Sequence, residues 1–250
     1  MLCINNKHTD PYFNLATEEY LLKNFRDNIF MLWQNEPSVI IGKHQNVRAE
    51  INLDFAEKNH IKIVRRFSGG GTVFHDMGNL NLTFIETNTN VNFDKFTSEI
   101  VAMLAGLGIH AESDERRAIN IDGLKISGSA QCIHKERVMY HATLLFSSDL
   151  SRLIESLEGD ENVGESNNGT QRRIYVKSVK SPVTNIVEYL EKPFDIEGFK
   201  QYIMNYFLKK NTVNRSYSFE KEDIRSIELL KREKYIQPEW NFDARLVKHI

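Results

Sequence analysis

The sequence predicts an α/β (α+β) protein with a mixed, mostly antiparallel sheet and flanking helices, and three observations carry that reading. Short segments alternate strictly between apolar and polar residues, as half-buried strands do. Helix-period segments lie among them without the strict strand–helix alternation of parallel folds. Glycine and Asp-Gly turn signals join strand-like pieces directly.

Taken in order, residues 14–25 (NLATEEYLLKNF) put Leu15, Ala16, Tyr20, Leu21 and Leu22 at helical spacing. They predict an amphipathic helix with Glu18 and Glu19 near its positive end. Residues 29–33 and 38–42 read as strands, separated by the turn residues Asn35, Glu36 and Pro37. A short helix over 53–59 and a strand over 61–66 lead into a glycine cluster. Residues 79–85 alternate, with Leu80, Leu82 and Phe84 on one face and Asn79, Asn81 and Thr83 on the other. Further helices are predicted over 93–107, 195–208 and 221–233, and residues 160–169 (DENVGESNNG) have the composition of a mobile loop. No internal repeat is visible, and residues 1–250 read as one domain.

Hydrophobic residues make up 41% and charged residues 26%, a balance that supports a large core without staples. A net charge of -2 argues against a general nucleic-acid binder. Cys3 and Cys132 form neither a disulfide framework nor a metal-type spacing, which suits a reducing cytoplasm. The first residues do not resemble a signal peptide, and no apolar run approaches the ~20 residues of a membrane span. The expectation is a cytoplasmic protein with no membrane and no nucleic-acid partner.

Residues 65–76 (RRFSGGGTVFHD) are the most informative stretch. Three successive glycines after a strand can adopt angles closed to other residues and present a row of N–H donors. With Arg65 and Arg66 beside them, such donors suit a phosphate or a carbonyl. The competing reading is a tight turn with two surface arginines. It is not a Walker A loop, since no Gly-Lys-Ser/Thr follows.

In residues 119–126 (INIDGLKI), alternation on both sides of Asp122-Gly123 predicts a two-residue hairpin. Its register pairs Ile121 with Leu124 and Asn120 with Lys125, so Asn120 and Lys125 share one face and the isoleucines the other. Lys125 then either neutralises an anion or is a solvated lysine on an exposed sheet. A strand over 140–146 places His141 with Thr143, where His141 is structural or catalytic; Trp33 ends a strand as core or as a ligand wall.

With these residues in place, the chain resembles the lipoate-protein ligase A family along essentially its whole length. The carriers are LWQN at 32–35, VIIGKHQN at 39–46, the arginine–SGGG–VFHD–GN stretch of 65–79, KISGSA at 125–130, HATLL at 141–145, Ser178-Val179 and Val183-Thr184-Asn185. The resemblance implies the catalytic-domain fold shared by lipoate- and biotin-protein ligases. It implies two half-reactions: lipoate and Mg-ATP give lipoyl-AMP, and an acceptor lysine then takes the acyl group. By the match, Lys125 contacts the activated carboxyl and phosphate oxygens. Arg66, Ser68, Gly69, Gly70 and Gly71 line the acyl-adenylate, with His75 beside it. Trp33 walls the slot for the dithiolane tail. Asn120 sits by the nucleotide and the Mg2+ ion, and Asn79 and His141 belong to the same matched segments. Implied acceptors are the lipoyl domains of 2-oxoacid dehydrogenase E2 subunits and the glycine-cleavage H protein.

Long members continue past a Trp-Asn motif into an accessory domain of about 100 residues, whereas only 243–250 follow Phe242 here. The expectation is a catalytic domain whose accessory domain is absent or supplied by a separate chain. Relatives of the fold that move octanoyl or lipoyl groups on a cysteine place it before the lysine motif or after the histidine strand. Residues 115–122 and 149–169 contain none. Cys132 reads as a small buried hydrophobe rather than a nucleophile.

Overall fold

A computed structural model describes residues 1–87, 92–160, 163, 175–192 and 194–243, and the structural statements below concern these. The strands are β1 (Leu2–Asn5), β2 (Ile29–Trp33), β3 (Ser38–Ile41), β4 (Lys62–Arg65), β5 (Val73–His75), β6 (Asn79–Thr87), β7 (Glu112–Ser113), β8 (Ile119–Ile121), β9 (Leu124–Ser127), β10 (Ser129–His134), β11 (Arg137–Leu145) and β12 (Arg215–Ser216). The helices are α1 (Pro11–Asn24), α2 (Val47–Glu50), α3 (Leu53–Lys58), α4 (Asp94–Ala105), α5 (Leu150–Ser156), α6 (Ile196–Lys209), α7 (Lys221–Leu230) and α8 (Pro238–Asn241). A π-helical segment, Lys231–Tyr235, extends α7.

The main sheet has six strands in the order β10-β11-β6-β2-β1-β12. Pairing is antiparallel from β10 through β2 and parallel from β2 to β1 to β12. Two three-stranded sheets, β4-β3-β5 and β7-β8-β9, stand beside it. The predicted mixed, mostly antiparallel class is therefore what the chain adopts, with β2 and β3 in different sheets.

Alternation sorts the main sheet's side chains onto two covered faces. Leu80, Leu82 and Phe84 of β6 pack with Ile100 and Met103 of α4 and with Phe199 and Ile203 of α6. On the opposite face, Met31, Trp33 and Ile85 pack against Phe13, Leu15 and Leu21 of α1. A third cluster joins Val39, Ile41 and Phe74 to Val47 and Ala56. Both sheet faces are thus covered, and the polar residues on the α1 side (Asn79, Asn81 and Thr83) are all buried.

The first helix corrects two expectations. Asp10 caps it and Pro11 opens it, so Glu18 and Glu19 lie in the second half rather than at the positive end. It is also not two-faced. Every residue from Phe13 to Glu19 is buried, because α1 is wedged between the sheet and the α7 segment. Both carboxylates are consequently spent on specific buried partners. The loop predicted over 160–169 lies outside the described residues apart from Asp160 and Val163.

Candidate active site

The Asp-Gly hairpin forms in the predicted register, with Asn120 opposite Lys125 and Ile121 opposite Leu124. Asp122 and Gly123 both take positive φ, +50° and +78°, as a turn of this type requires. The Lys125 backbone is pinned further: its N–H donates to Pro182 O at 2.9 Å and its carbonyl accepts from Thr184 N at 3.1 Å. Its side chain lies over Gly128, where an added Cβ would be 3.4 Å from Nζ. Burial pulls the Lys125 ammonium below its ordinary range, against the attraction of Asp114. A half-buried cation of this kind favours an incoming anion.

Two cavities meet at this lysine. One, of about 230 Å³, is bordered by Leu15, Trp33, Ile40, Arg66, His75, Asn81 and His141. The other, of about 590 Å³, lies between Phe74, Leu145, Leu153 and the 177–183 segment. Lys125, Gly128, Thr143 and Ser178 belong to both walls. Strand register explains the first cavity: Trp33, Asn81 and Thr143 are direct neighbours across β2, β6 and β11. Gly128 completes the row, accepting from Thr143 N at 2.9 Å.

A buried relay runs beneath the first cavity. Trp33 Nε1 donates to Thr83 Oγ1 at 2.8 Å, and the Thr83 hydroxyl donates to Glu18 Oε1 at 2.6 Å. His141 Nδ1 lies 2.9 and 3.1 Å from the two Glu18 oxygens, and its Nε2 meets Ser68 Oγ at 2.8 Å. Ser68 also accepts from Arg66 Nε at 3.0 Å. The His141 ring thus bridges the Glu18 carboxylate and the Ser68 hydroxyl, with a hydrogen-bond partner at each ring nitrogen. His141 is therefore held in one orientation at the cavity wall.

Most donors of the two arginines are spent on backbone carbonyls, and of the pair only Arg66 reaches the wall of the first cavity. Arg65 is fully buried and donates to Gly42 O, Gln45 O and Trp240 O at 2.8, 2.9 and 3.0 Å. Trp240 Nε1 returns a bond to Arg65 O, and Asn241 Oδ1 accepts from Arg65 N. The Trp-Asn motif near the end of the described chain thus clamps the strand that feeds the glycine loop. Arg66 donates to Gly69 O, Gly71 O and Ile40 O, drawing the glycine loop around its own guanidinium. Burial lowers both arginines to about 10, which leaves them charged at neutral pH. Gly70 takes φ +89°, and Gly42 lies so close that a Cβ there would sit 2.1 Å from Gly70 O. These glycines are required by close approach.

Gln45 ties the motifs together. Its Oε1 accepts from Gly42 N and Thr72 Oγ1, and its Nε2 donates to Ser178 Oγ at 3.0 Å. Of the residues singled out from sequence, Trp33, Arg66, Gly71, His75, Lys125 and His141 line the first cavity. Ser68 stands behind His141, while Gly69 and Gly70 shape the loop around Arg66. Asn79 is fully buried and donates to Asn81 Oδ1 at 3.0 Å. Asn120 lines neither cavity; its amide approaches Ala118 O at 3.5 Å. Glu18, Asn81, Asp114, Arg116 and Lys177 were not anticipated. Asn81 alone carried a signal, as a polar residue on an alternating strand, and it needed both sheet faces to be covered.

The cysteines offer no nucleophile. Cys3 is buried, and burial together with Glu18 and Glu19 pushes the Cys132 thiol up to about 12. Neither lines the cavities. Among the described residues, no cluster of three His, Cys, Asp or Glu side chains could hold a metal, and no helix is long and apolar enough to cross a membrane.

Residues 10–208 match the family model of the lipoyl protein ligase A/B catalytic domain. The chain is 40% identical over 243 residues to lipoate–protein ligase 1 of Staphylococcus aureus, spanning 95% of this chain and 72% of that protein. It is 37% identical over 250 residues to the lipoate-protein ligase LplJ of Bacillus subtilis, spanning 97% and 73%. Among solved structures, the fold is similar to a bi-partite lipoate protein ligase from Thermoplasma acidophilum, with a TM-score of 0.81, 24% identity, and 100% and 98% of the two chains covered. This chain therefore belongs to the lipoate–protein ligase family, enzymes that share the lipoyl protein ligase A/B catalytic domain.

Proposed function

We propose that this ligase joins lipoate to an acceptor lysine through an acyl-adenylate, with Lys125 at the reacting carboxyl. The observation that carries this is the position of Lys125 on the wall common to a smaller compartment, apolar at its Leu15, Trp33 and Ile40 end, and a larger one. An acyl adenylate has the matching shape: an apolar tail, a charged centre and a bulky nucleoside. Trp33 and Leu15 pack the tail, His75 and His141 flank it, and the loop of Arg66, Ser68 and Gly69 to Gly71 closes over it, with Asn79 supporting Asn81.

In the first step a lipoate carboxylate oxygen attacks the α-phosphorus of ATP and the bond to the β-phosphate breaks, releasing pyrophosphate. In the second, the deprotonated acceptor amine attacks the acyl carbon and AMP leaves. Negative charge grows on oxygens beside Lys125 in both steps, and a pre-positioned cation stabilises it with little reorganisation. The residues present fit a Mg2+ that arrives with the triphosphate rather than a resident ion, since this ion keeps water and phosphate ligands and needs few from protein. Asp114, on the smaller cavity's wall near Lys125, would be its carboxylate ligand; Asn120, opposite Lys125 in the hairpin, is the second candidate although it lines neither cavity.

The proposed acceptors are lipoyl domains of 2-oxoacid dehydrogenase E2 subunits and the glycine-cleavage H protein, in the cytoplasm. The archaeal structure of similar fold is described as a bi-partite ligase with its E2 lipoyl domain, which supports testing for a separate accessory chain. Transfer to an apo lipoyl domain is to be followed by mass spectrometry, with lipoate plus Mg-ATP and with synthetic lipoyl-AMP in parallel. Product from both assigns activation and transfer to these 250 residues. Product from lipoyl-AMP alone assigns transfer here and activation to the accessory chain, and product from neither refutes the reading. Lys125→Ala is expected to lower the transfer rate at least 100-fold.

A further inference from the structure

We infer that a relay of buried asparagines locks His75 as an Nε2–H donor to the sulfur-bearing ring of the acyl tail, and that this contact favours lipoate over octanoate. The inference rests on reading the smaller cavity as the acyl site. The relay can be followed from a fixed backbone group. His8 N donates to Asn6 Oδ1 at 3.1 Å, so the other edge of that amide is its NH2, which donates to Asn14 Oδ1 at 2.8 Å. The Asn14 NH2 in turn faces two backbone carbonyls, His8 O at 2.9 Å and Gln34 O at 2.8 Å, and Asn35 Oδ1 at 2.8 Å. The Asn35 NH2 is therefore the group that lies 3.0 Å from His75 Nδ1.

A ring nitrogen facing an NH2 must accept, so the proton of the neutral imidazole is on Nε2. The ring does stay neutral: burial first, then Arg66 and His141, push the His75 pKa down to about 3. His75 is 3% exposed, borders the smaller cavity, and its Nε2 is a buried atom without a partner. Asn81, 2% exposed on the same cavity, has an unpartnered Nδ2 as well.

An unmatched buried N–H is costly, so these donors, which lie just beneath the cavity surface, call for an acceptor that presses up to them when the cavity is filled. The His75 ring stands edge-on to Trp33 at 5.9 Å, at the end of the Trp33–Asn81–Thr143 row. The carboxyl end, at Lys125 and Thr143, is two strand spacings away, roughly 10 Å. Substrate oxygens thus lie at the far end. An octanoyl tail offers only methylene and methyl groups here, whereas a dithiolane ring offers two sulfurs, which accept weakly. The contact discriminates by what octanoate lacks.

Asn35→Asp tests this, because a carboxylate of the same size still accepts from Asn14 yet draws the proton to His75 Nδ1 and turns Nε2 into an acceptor. The ratio of lipoate to octanoate affinity, from calorimetry with the free acids, is expected to fall about threefold to tenfold. The same fall is expected in the ratio of transfer rates from the two synthetic acyl-AMPs. Equal losses for both acyl groups, as a purely structural role predicts, overturn the inference. His75→Phe removes the donor while keeping a ring, and must lower the ratio likewise. Nitrogen-15 NMR of the unmodified chain reads the tautomer directly: an Nε2–H ring supports the lock, and an Nδ1–H ring refutes it. Failure of the unmodified chain to transfer either acyl group would count against the proposed activity and leave the tautomer result standing.

Discussion

Lys234→Met isolates the buried cluster that holds the carboxyl-terminal segment against the active-site loop. Lys234 Nζ lies 2.7 Å from Glu19 Oε2, with the Tyr235 hydroxyl 2.5 Å from the same oxygen and Lys23 2.6 Å from the other. The ammonium also sits 3.9 Å from the Trp240 ring centroid and 5.0 Å from that of Phe67. Removing one partner of a buried pair leaves an uncompensated charge, a loss of about 3–5 kcal/mol. Glu19 keeps Lys23 and Tyr235, so the expected loss is nearer 2–3 kcal/mol, again as an order of magnitude. For a chain of this size that lowers Tm by roughly 5–10 °C. Thermal unfolding followed by circular dichroism at neutral pH reads it directly.

The effect has a definite pH sign. Burial pushes the Glu19 carboxyl up, but Lys234, Lys23 and Tyr235 outweigh it and hold it below the ordinary value of 4.5. Its contribution is therefore present above pH 4.5 and is lost as pH falls through the lower folded value. The gap between Lys234→Met and the unmodified chain should narrow in that acid window. Pairing the change with Glu19→Gln removes the stranded charge while keeping an acceptor for the Tyr235 hydroxyl, and should recover part of the loss. A Tm for Lys234→Met within about 2 °C of the unmodified chain would refute the reasoning, as would a double variant less stable than the single.

Gly70→Ala must place a Cβ at φ +89°, 2.8 Å from Arg66 Nη2, and is expected to cost about 1–3 kcal/mol in urea unfolding and to slow transfer. Cys132→Ser is expected to retain transfer activity, since a thiol raised to about 12 is not ionised at neutral pH; abolished activity would restore the thioester reading. His75 folds with its pKa depressed from 6.5 to about 3, so its contribution to stability is complete above about pH 6.5 and declines as pH falls toward 3. Urea midpoints of the unmodified chain and His75→Gln, measured between these limits, should converge as the pH is lowered, by up to roughly 1.4 kcal/mol per unit.

Much of the candidate site's geometry was readable because its signals are local. Asp122-Gly123 between alternating residues dictates a hairpin, and a hairpin's register alone puts Lys125 opposite Asn120. Three glycines after a strand announce a close-approach loop, and the absence of cysteine before the lysine motif and after the histidine strand already weighed against a thioester. Other features were misread because they depend on neighbours far away in the chain. Glu18 and Glu19 look like dipole-stabilising acids until His141, 123 residues away, and Lys234, 215 away, are seen to claim them. Arg65 looks like an anion ligand, and only the packed structure turns its donors onto backbone carbonyls.

By itself, then, the sequence determined the longer helices and central strands, the faces of those strands, the hairpin that carries Lys125 and the family. Tertiary structure alone decided which of the two faces of the main sheet carries the candidate site. Alternation separates Asn81, Thr83, His141 and Thr143 from their apolar neighbours but does not say that α1 will cover them. Burial beneath a helix is what converts those polar side chains from solvated surface into a satisfied relay, and what leaves the two unmatched donors of His75 and Asn81 waiting for a ligand.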